Sequence, residues 1–194
     1  MKLTKKIKIT LLSVACIIFL MPAASFALVD VNLYGSFPFA GDWGGDDKKL
    51  TNDFGYGASA HLNTDFLIFL HVGVGGFYQF SQLTYKASGF PDLSVDSSVA
   101  GIDVYAQLDI PFIPVAPYVR ANEAIWHKME GNGASETDNF NRHGVGFGVL
   151  FTIIPIPELF KLQVFGEYMY NWGEIEEAKF KDHQLNIGLR ADIL

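Results

Sequence analysis

Polar and apolar residues alternate with a period of two through most of the chain beyond residue 27, the pattern of a strand with two unlike faces. Near the start, Val29, Val31, Leu33 and Phe37 oppose Asp30, Asn32 and Ser36. Further on, Val145, Phe147, Val149, Phe151 and Ile153 oppose Gly144, Gly146, Gly148 and Thr152. The spacing predicts eight strands, at 28–37, 53–62, 69–83, 99–110, about 116–127, 142–153, 161–172 and 182–193. The fifth is the least regular, because Glu123 interrupts the apolar set of Val119, Ala121 and Ile125. No stretch of 18 apolar residues follows residue 27, so no helix long enough to span a bilayer is predicted.

The connections alternate as well. Segments 38–52, 84–98, 128–141 and 173–181 are long and rich in Gly, Asp, Glu, Asn and Ser. Segments 63–66, 111–115 and 154–160 are shorter, and two of them carry paired prolines, which suit strand ends because proline has no N–H to give a ladder. Strict alternation puts all the long connections at one end of an up-and-down meander. Even strand number, short turns on one side and long loops on the other describe an all-β, antiparallel transmembrane barrel of the bacterial outer membrane.

The polar set decides which face points inward. It is dominated by Gly, Ser, Asn, Gln and Asp, small enough for the narrow interior of an eight-stranded barrel. The apolar set is almost free of charge and is assigned to lipid. Aromatics cluster at strand ends: Phe37, Phe39, Trp43, Phe54, Tyr56, Phe80, Tyr85, Tyr170 and Trp172 near the long connections, and Phe66, Phe112 and Phe160 near the short ones. Two aromatic belts at two interfaces fit this arrangement.

The first 27 residues read as an address. Lys2, Lys5, Lys6 and Lys8 precede an uncharged apolar run, Ile9 to Met21, and Ser25-Phe26-Ala27 offers small residues for signal peptidase. The expectation is a cleaved signal peptide at 1–27 and one barrel domain at 28–194. Cleavage removes four lysines and the lone Cys16, taking the net charge of the 194-residue chain from −7 to −11. So acidic a chain does not suit nucleic acid, and without cysteine it has neither disulfide staples nor thiol chemistry.

With these strands placed, the chain resembles the small eight-stranded outer-membrane barrels, the outer-membrane protein A/X-like and opacity-protein-like group. The likeness is carried by Ser25-Phe26-Ala27, by Gly144-Val145-Gly146-Phe147-Gly148-Val149 and by Pro114-Val115-Ala116-Pro117-Tyr118-Val119. It implies insertion by the barrel-assembly machinery and both termini in the periplasm. One departure is the ending, Ala191-Asp192-Ile193-Leu194, where such barrels often finish on an aromatic residue.

Candidate chemistry is sparse. His61, His71, His127, His143 and His183 form no helical ligand pair, and Asp42 to Asp47 lack the spacing of a calcium loop, so neither metal nor cofactor is expected. Outer-membrane lipid A deacylases carry His-x-Ser on a strand, which is absent here. Lipid A palmitoyltransferase combines an Asp-Ser pair with a histidine in its first long loop. Asp96-Ser97 is present, but 38–52 holds no histidine.

Inward-facing charges are the lumen candidates: Asp30, Asp103, Asp109, Arg120, Glu167, Arg190 and Asp192. Asp109 and Arg120 flank the second short turn and are expected to pair, and barrel closure should bring Arg190 to Asp30. Such pairs either pack a narrow interior, which cannot leave charge uncompensated, or swap partners to gate a narrow pore. The long connections carry Asp42, Trp43, Asp46, Asp47, Glu130, Glu136, Asp138, Glu174, Glu176 and Glu177 as candidates for contact with a basic host or phage surface. The expected protein is a monomeric, non-enzymatic outer-membrane barrel, surrounded by outer-membrane lipid, for membrane integrity or surface interaction. The alternatives are a narrow gated channel or carrier for small or apolar solutes and, last, a lipid-modifying enzyme.

Overall fold

A strand leaves half of its backbone N–H and C=O groups unpaired along any free edge, and closing the sheet on itself removes the edges. That is the architecture of the computed structural model. It describes residues 28–43, 48–67, 69–87, 93–110, 112–131, 134–138, 141–156, 160–175 and 178–193. The strands are β1 (Leu28–Trp43), β2 (Lys48–Leu67), β3 (Leu70–Ala87), β4 (Leu93–Leu108), β5 (Val115–Gly131), β6 (Ala134–Asp138), β7 (Asn141–Ile156), β8 (Phe160–Ile175) and β9 (Ala178–Ile193). Neighbours run in the order β4-β3-β2-β1-β9-β8-β7-β5-β6, all antiparallel, and β4 pairs with β5 to close the ring. Eight strands make the barrel. The short β6 pairs only with β5, forming a hairpin in the third long connection.

The strands run further than the alternation predicts, mostly at the long-connection end; at the other end β2 continues to Leu67, so the predicted connection 63–66 is strand. β1 continues to Trp43 and β2 begins at Lys48, so most of 38–52 is strand. The same holds for 84–98, 128–141 and 173–181. A tilted strand needs about 9–11 residues to cross a bilayer, whereas these have 16 to 20. Beyond the bilayer both faces of a strand are wet, so the period-two signal fades while the backbone ladder continues.

The predicted apolar faces are the outer wall. Leu33, Ile125 and Phe147 are each about 60% exposed, as are many others on the same face. An exposed apolar surface of this extent marks contact with lipid or a partner. The irregular fifth strand has a physical cause. Gly101 pairs with Ala124 and Ala100 with Trp126, so Ile125 is the extra residue of a β-bulge. Glu123 is an outer-wall residue, set opposite His143 of β7.

The interior is less uniformly small and polar than expected. Tyr34, Ala116, Tyr118, Leu150 and Phe165 pack into one buried apolar cluster, and Phe77, Val99 and Ala124 into another. The inward glycines make room for these rings: a Cβ at Gly148 would stand 2.6 Å from the ring of Tyr118. The β4–β5 turn carries the one described non-glycine residue with positive φ, Phe112 at 66°, and its side chain is fully exposed. For a bulky residue this conformation costs about 1–3 kcal/mol.

Candidate functional site: the lumen and its two mouths

Inward-facing residues of six strands build one polar network. Asp30 of β1 stands directly opposite His61 of β2 in the ladder, and His61 Nδ1 lies 2.6 Å from Asp30 Oδ1. The other ring nitrogen, Nε2, lies 2.9 Å from Asp103 Oδ1 of β4, in ion-pair contact but off the hydrogen-bond direction. Asp103 Oδ2 meets Arg120 Nη2 of β5, and Arg120 Nη1 reaches Glu167 Oε1 of β8 at 3.3 Å. Asn186 Nδ2 donates to that same oxygen at 2.8 Å. On the other side of Asp30, Arg190 Nη2 of β9 lies 3.0 Å from Oδ2, and Arg190 Nε donates to Asp192 Oδ1 at 2.6 Å. Asn63 Nδ2 and the Tyr105 hydroxyl complete the Asp30 cradle at 2.7 and 2.6 Å.

All seven charged or titrating members, Asp30, His61, Asp103, Arg120, Glu167, Arg190 and Asp192, are buried. Ions removed from water need partners, because an uncompensated charge in a low-dielectric interior costs several kcal/mol. The network supplies most of them. Arg120 Nε, Glu167 Oε2 and Asn186 Oδ1 have no hydrogen-bond partner among the described residues. At mid-height the lumen keeps a cavity of about 20 Å³, bordered by Asn32, His61, Tyr118, Arg120, Glu167 and Arg190 among others. That is room for about one water. The apolar cluster around Tyr118 and Phe165 packs beside it.

Arg190 meets Asp30 across the closure, as barrel geometry suggested. Asp109 and Arg120 do not pair. Arg120 points up the lumen to Asp103 and Glu167, whereas Asp109 stays at the short-turn mouth. Its Oδ2 lies 2.8 Å from His71 Nε2 and 3.9 Å from Lys161 Nζ, and its Oδ1 accepts from Gln107 Nε2 at 2.5 Å. Asp109 lies just past the end of β4. Burial pushes its carboxyl up, but the hydrogen bonds from His71 and Gln107 outweigh that and hold it at about 2. This mouth opens into a cavity of about 470 Å³ between the β4–β5 turn and the starts of β3 and β8.

At the other end, Asn171 donates to Asp182 at 2.6 Å, Arg142 stands 3.9 Å from the same carboxylate, and Ser36 donates to Gln184 at 3.2 Å. Ser97 Oγ lies 2.8 Å from His127 Nε2, and both side chains are buried. Adjacent strand residues face opposite ways, so Asp96 points outward, where its carboxylate accepts from Gln82 at 3.4 Å. The Asp-Ser pair of the sequence therefore cannot act on one face.

The histidines divide. His61, His71 and His127 face inward, while His143 and His183 are on the outer wall rather than in the lumen or loops. His183 Nδ1 lies 2.6 Å from the Tyr168 hydroxyl, and the imidazole sits beside Tyr170 and Phe39. His143 lies against Trp172. Of the surface candidates, Asp42 and Trp43 end β1, Glu130 is on β5, Glu136 and Asp138 are on β6, and Glu174 is on β8: strand positions, not loop positions. Glu130 and Glu174 are exposed, and Glu130 pairs with Lys128. Asp46, Asp47, Glu176, Glu177 and the predicted signal peptide lie outside the described residues.

His61, Tyr105, Asn63 and Gln163 are the lumen residues that sequence reasoning missed as partners. The inward placement of His61, Tyr105 and Gln163 was readable from the alternation, whereas Asn63 falls in the segment predicted as a connection. Their contacts depend on the stagger of strands around the ring, which no local pattern encodes.

No curated protein matches the sequence significantly. Among solved structures, the fold is similar to Neisserial surface protein A (NspA), with a TM-score of 0.55 and 17% identity over 84% of this chain and 95% of that one. It is also similar to the outer membrane protein OprG from Pseudomonas aeruginosa, with a TM-score of 0.54 and 8% identity over 87% of this chain and 97% of that one. At such identities the likeness concerns the fold. A family model described as the outer membrane protein beta-barrel domain matches residues 10–191. The chain belongs to the outer membrane protein β-barrel family.

Proposed function

We propose that this protein is a non-enzymatic, non-conducting barrel that acts through its exposed end. It is exported, cleaved after Ala27 and inserted by the barrel-assembly machinery, with both termini in the periplasm. The hairpins that rise past the bilayer then present an acidic rim to the outside, suited to a basic host or phage surface. The observation that carries this reading is the filled lumen: at mid-height it has space for about one water, held among paired charges.

The test is conductance in planar bilayers, using protein whose unboiled form migrates as folded. Wild type is expected to show no steps above the lipid background, and so are Arg120→Met and Arg190→Met. A second reading, a gated pore, is favoured by one feature. Arg120 already touches two carboxylates on different strands, Asp103 and Glu167, so it has an alternative partner to swing to. Discrete openings in wild type that grow or lengthen in Arg120→Met would establish the gate and overturn the closed barrel. Surface binding is tested separately. Cells displaying the protein should adhere to a polylysine-coated surface, and Glu130→Gln, Glu136→Gln, Asp138→Asn and Glu174→Gln together should abolish the excess adhesion.

A further inference from the structure

The cavity at the short-turn mouth lies outside the lumen network, and its lining has an unmet requirement. Gln163 of β8 is 3% exposed, and its Oε1 has no hydrogen-bond partner among the described residues. Buried amide oxygens are nearly always satisfied, so an orphan lining a cavity points to a missing donor. Gln163 Nε2 donates to Thr152 Oγ1 of β7 at 3.2 Å. That leaves the Thr152 hydroxyl hydrogen free to reach an acceptor in the cavity. Side by side, Gln163 and Thr152 thus offer one acceptor and one donor, the complement of an amide group.

Lys161 supplies the charge. Asp109 is bound by His71 at 2.8 Å and Gln107 at 2.5 Å, and stands 3.9 Å from Lys161 Nζ, too far for a hydrogen bond. Asp192, cross-strand from Lys161, is bound by Arg190 at 2.6 Å. Both carboxylates take their hydrogen bonds from other donors, so Lys161, in a loose ion pair with Asp109, keeps its N–H groups for an anion. Ile110, Ile113, Pro114 and Ala116 form an apolar wall. The volume, about 470 Å³, falls in the range of small-ligand sites, about 300–1,000 Å³.

We propose that this mouth binds the carboxyl-terminal end of a peptide: an amide read by Gln163 and Thr152, a carboxylate beside Lys161, and one branched apolar side chain against the wall. The site faces away from the acidic rim, and its occupant is independent of the surface reading above.

The test is NMR titration of the refolded chain in micelles with N-acetyl-leucine, following the Gln163 side-chain amide and the Thr152 backbone amide. N-acetyl-leucine amide, lacking the carboxylate, and 4-methylpentanoate, lacking the amide, are the controls. Saturable shifts are expected, with N-acetyl-leucine about three- to tenfold tighter than either control, the size of one lost hydrogen bond. Gln163→Leu should lower its affinity to that of 4-methylpentanoate. Lys161→Met should lower it to that of the leucine amide. Both variants must keep the unboiled gel shift, which separates lost binding from lost folding. Equal binding of all three probes to wild type would mean apolar partitioning alone and would overturn the proposal. So would an affinity unchanged in Gln163→Leu, or the absence of saturation.

Discussion

Replacing Arg120 by methionine keeps the bulk of the side chain and deletes its charge. In the structure Arg120 is the cation nearest both Asp103 and Glu167, each of which is 1% exposed. After the change, Asp103 keeps His61 at 2.9 Å and Glu167 keeps Asn186 at 2.8 Å, but two buried carboxylates share one imidazole and one amide. Breaking a buried pair from one side costs about 3–5 kcal/mol, mostly the penalty of the charge left behind. That is about two to three and a half decades in the folding equilibrium. Adding Glu167→Gln removes one stranded carboxylate and should recover about half of the loss. The assay is urea unfolding in lipid vesicles, read by tryptophan emission and by the folded band on unboiled gels. A loss below about 1 kcal/mol for Arg120→Met, the scale of an exposed pair, would refute the reasoning, because it would mean that water reaches these carboxylates. A double variant no more stable than the single one would refute it too.

Three further outcomes follow from the same geometry. Leu189→Arg on the outer wall, where Leu189 faces Leu33 across the closing ladder, should cost about 2–4 kcal/mol in vesicle unfolding if it sits near the bilayer midplane, whereas Lys179→Arg near the rim should be neutral. Gly148→Val should reduce the folded fraction in refolding trials, since its first carbon would already stand 2.6 Å from the Tyr118 ring and overpacking a tight interior costs about 1–3 kcal/mol. Asp109→Asn tests the acid end of the stability curve. The folded carboxyl is held at about 2 against an ordinary 3.8, so its contribution is complete above the ordinary value and disappears as the pH falls to 2. The stability gap between wild type and Asp109→Asn should therefore be present at pH 5 and close as the pH falls from 4 through 2.

Much of this architecture was legible because a barrel wall has two different solvents. Val145, Phe147 and Val149 against Gly144, Gly146 and Gly148 could only be a strand with lipid on one side and crowding on the other. The strand ends were not legible, since past the bilayer a residue such as Glu130 or Glu174 faces water on either side, and only backbone pairing keeps the strand going. The lumen was legible in part. Which residues face inward follows from alternation, and Arg190 reaching Asp30 follows from closure. The mispairing of Asp109 with Arg120 has one cause: the ladder sets Arg120 opposite Tyr105, so Asp103 lies one diagonal step away on β4 and Asp109 twice as far, and the guanidinium reaches on across the lumen to Glu167. The same stagger hid the bridge that His61 makes between Asp30 and Asp103.

The closing seam has a consequence for how the molecule comes into being. β1 and β9, from opposite ends of the chain, are hydrogen-bonded from Val29 with Ile193 to Trp43 with Phe180. Until the last strand has emerged, both seam edges are open templates for another chain, and non-local pairings of this kind form slowly. A nascent barrel is thus most prone to aggregation just before completion. Loss of even the final strand would leave a ribbon with two sticky margins and an Asp30 cradle without Arg190, rather than a slightly smaller barrel. Survival of the protein depends on its unfinished edges being kept occupied on the way to the membrane.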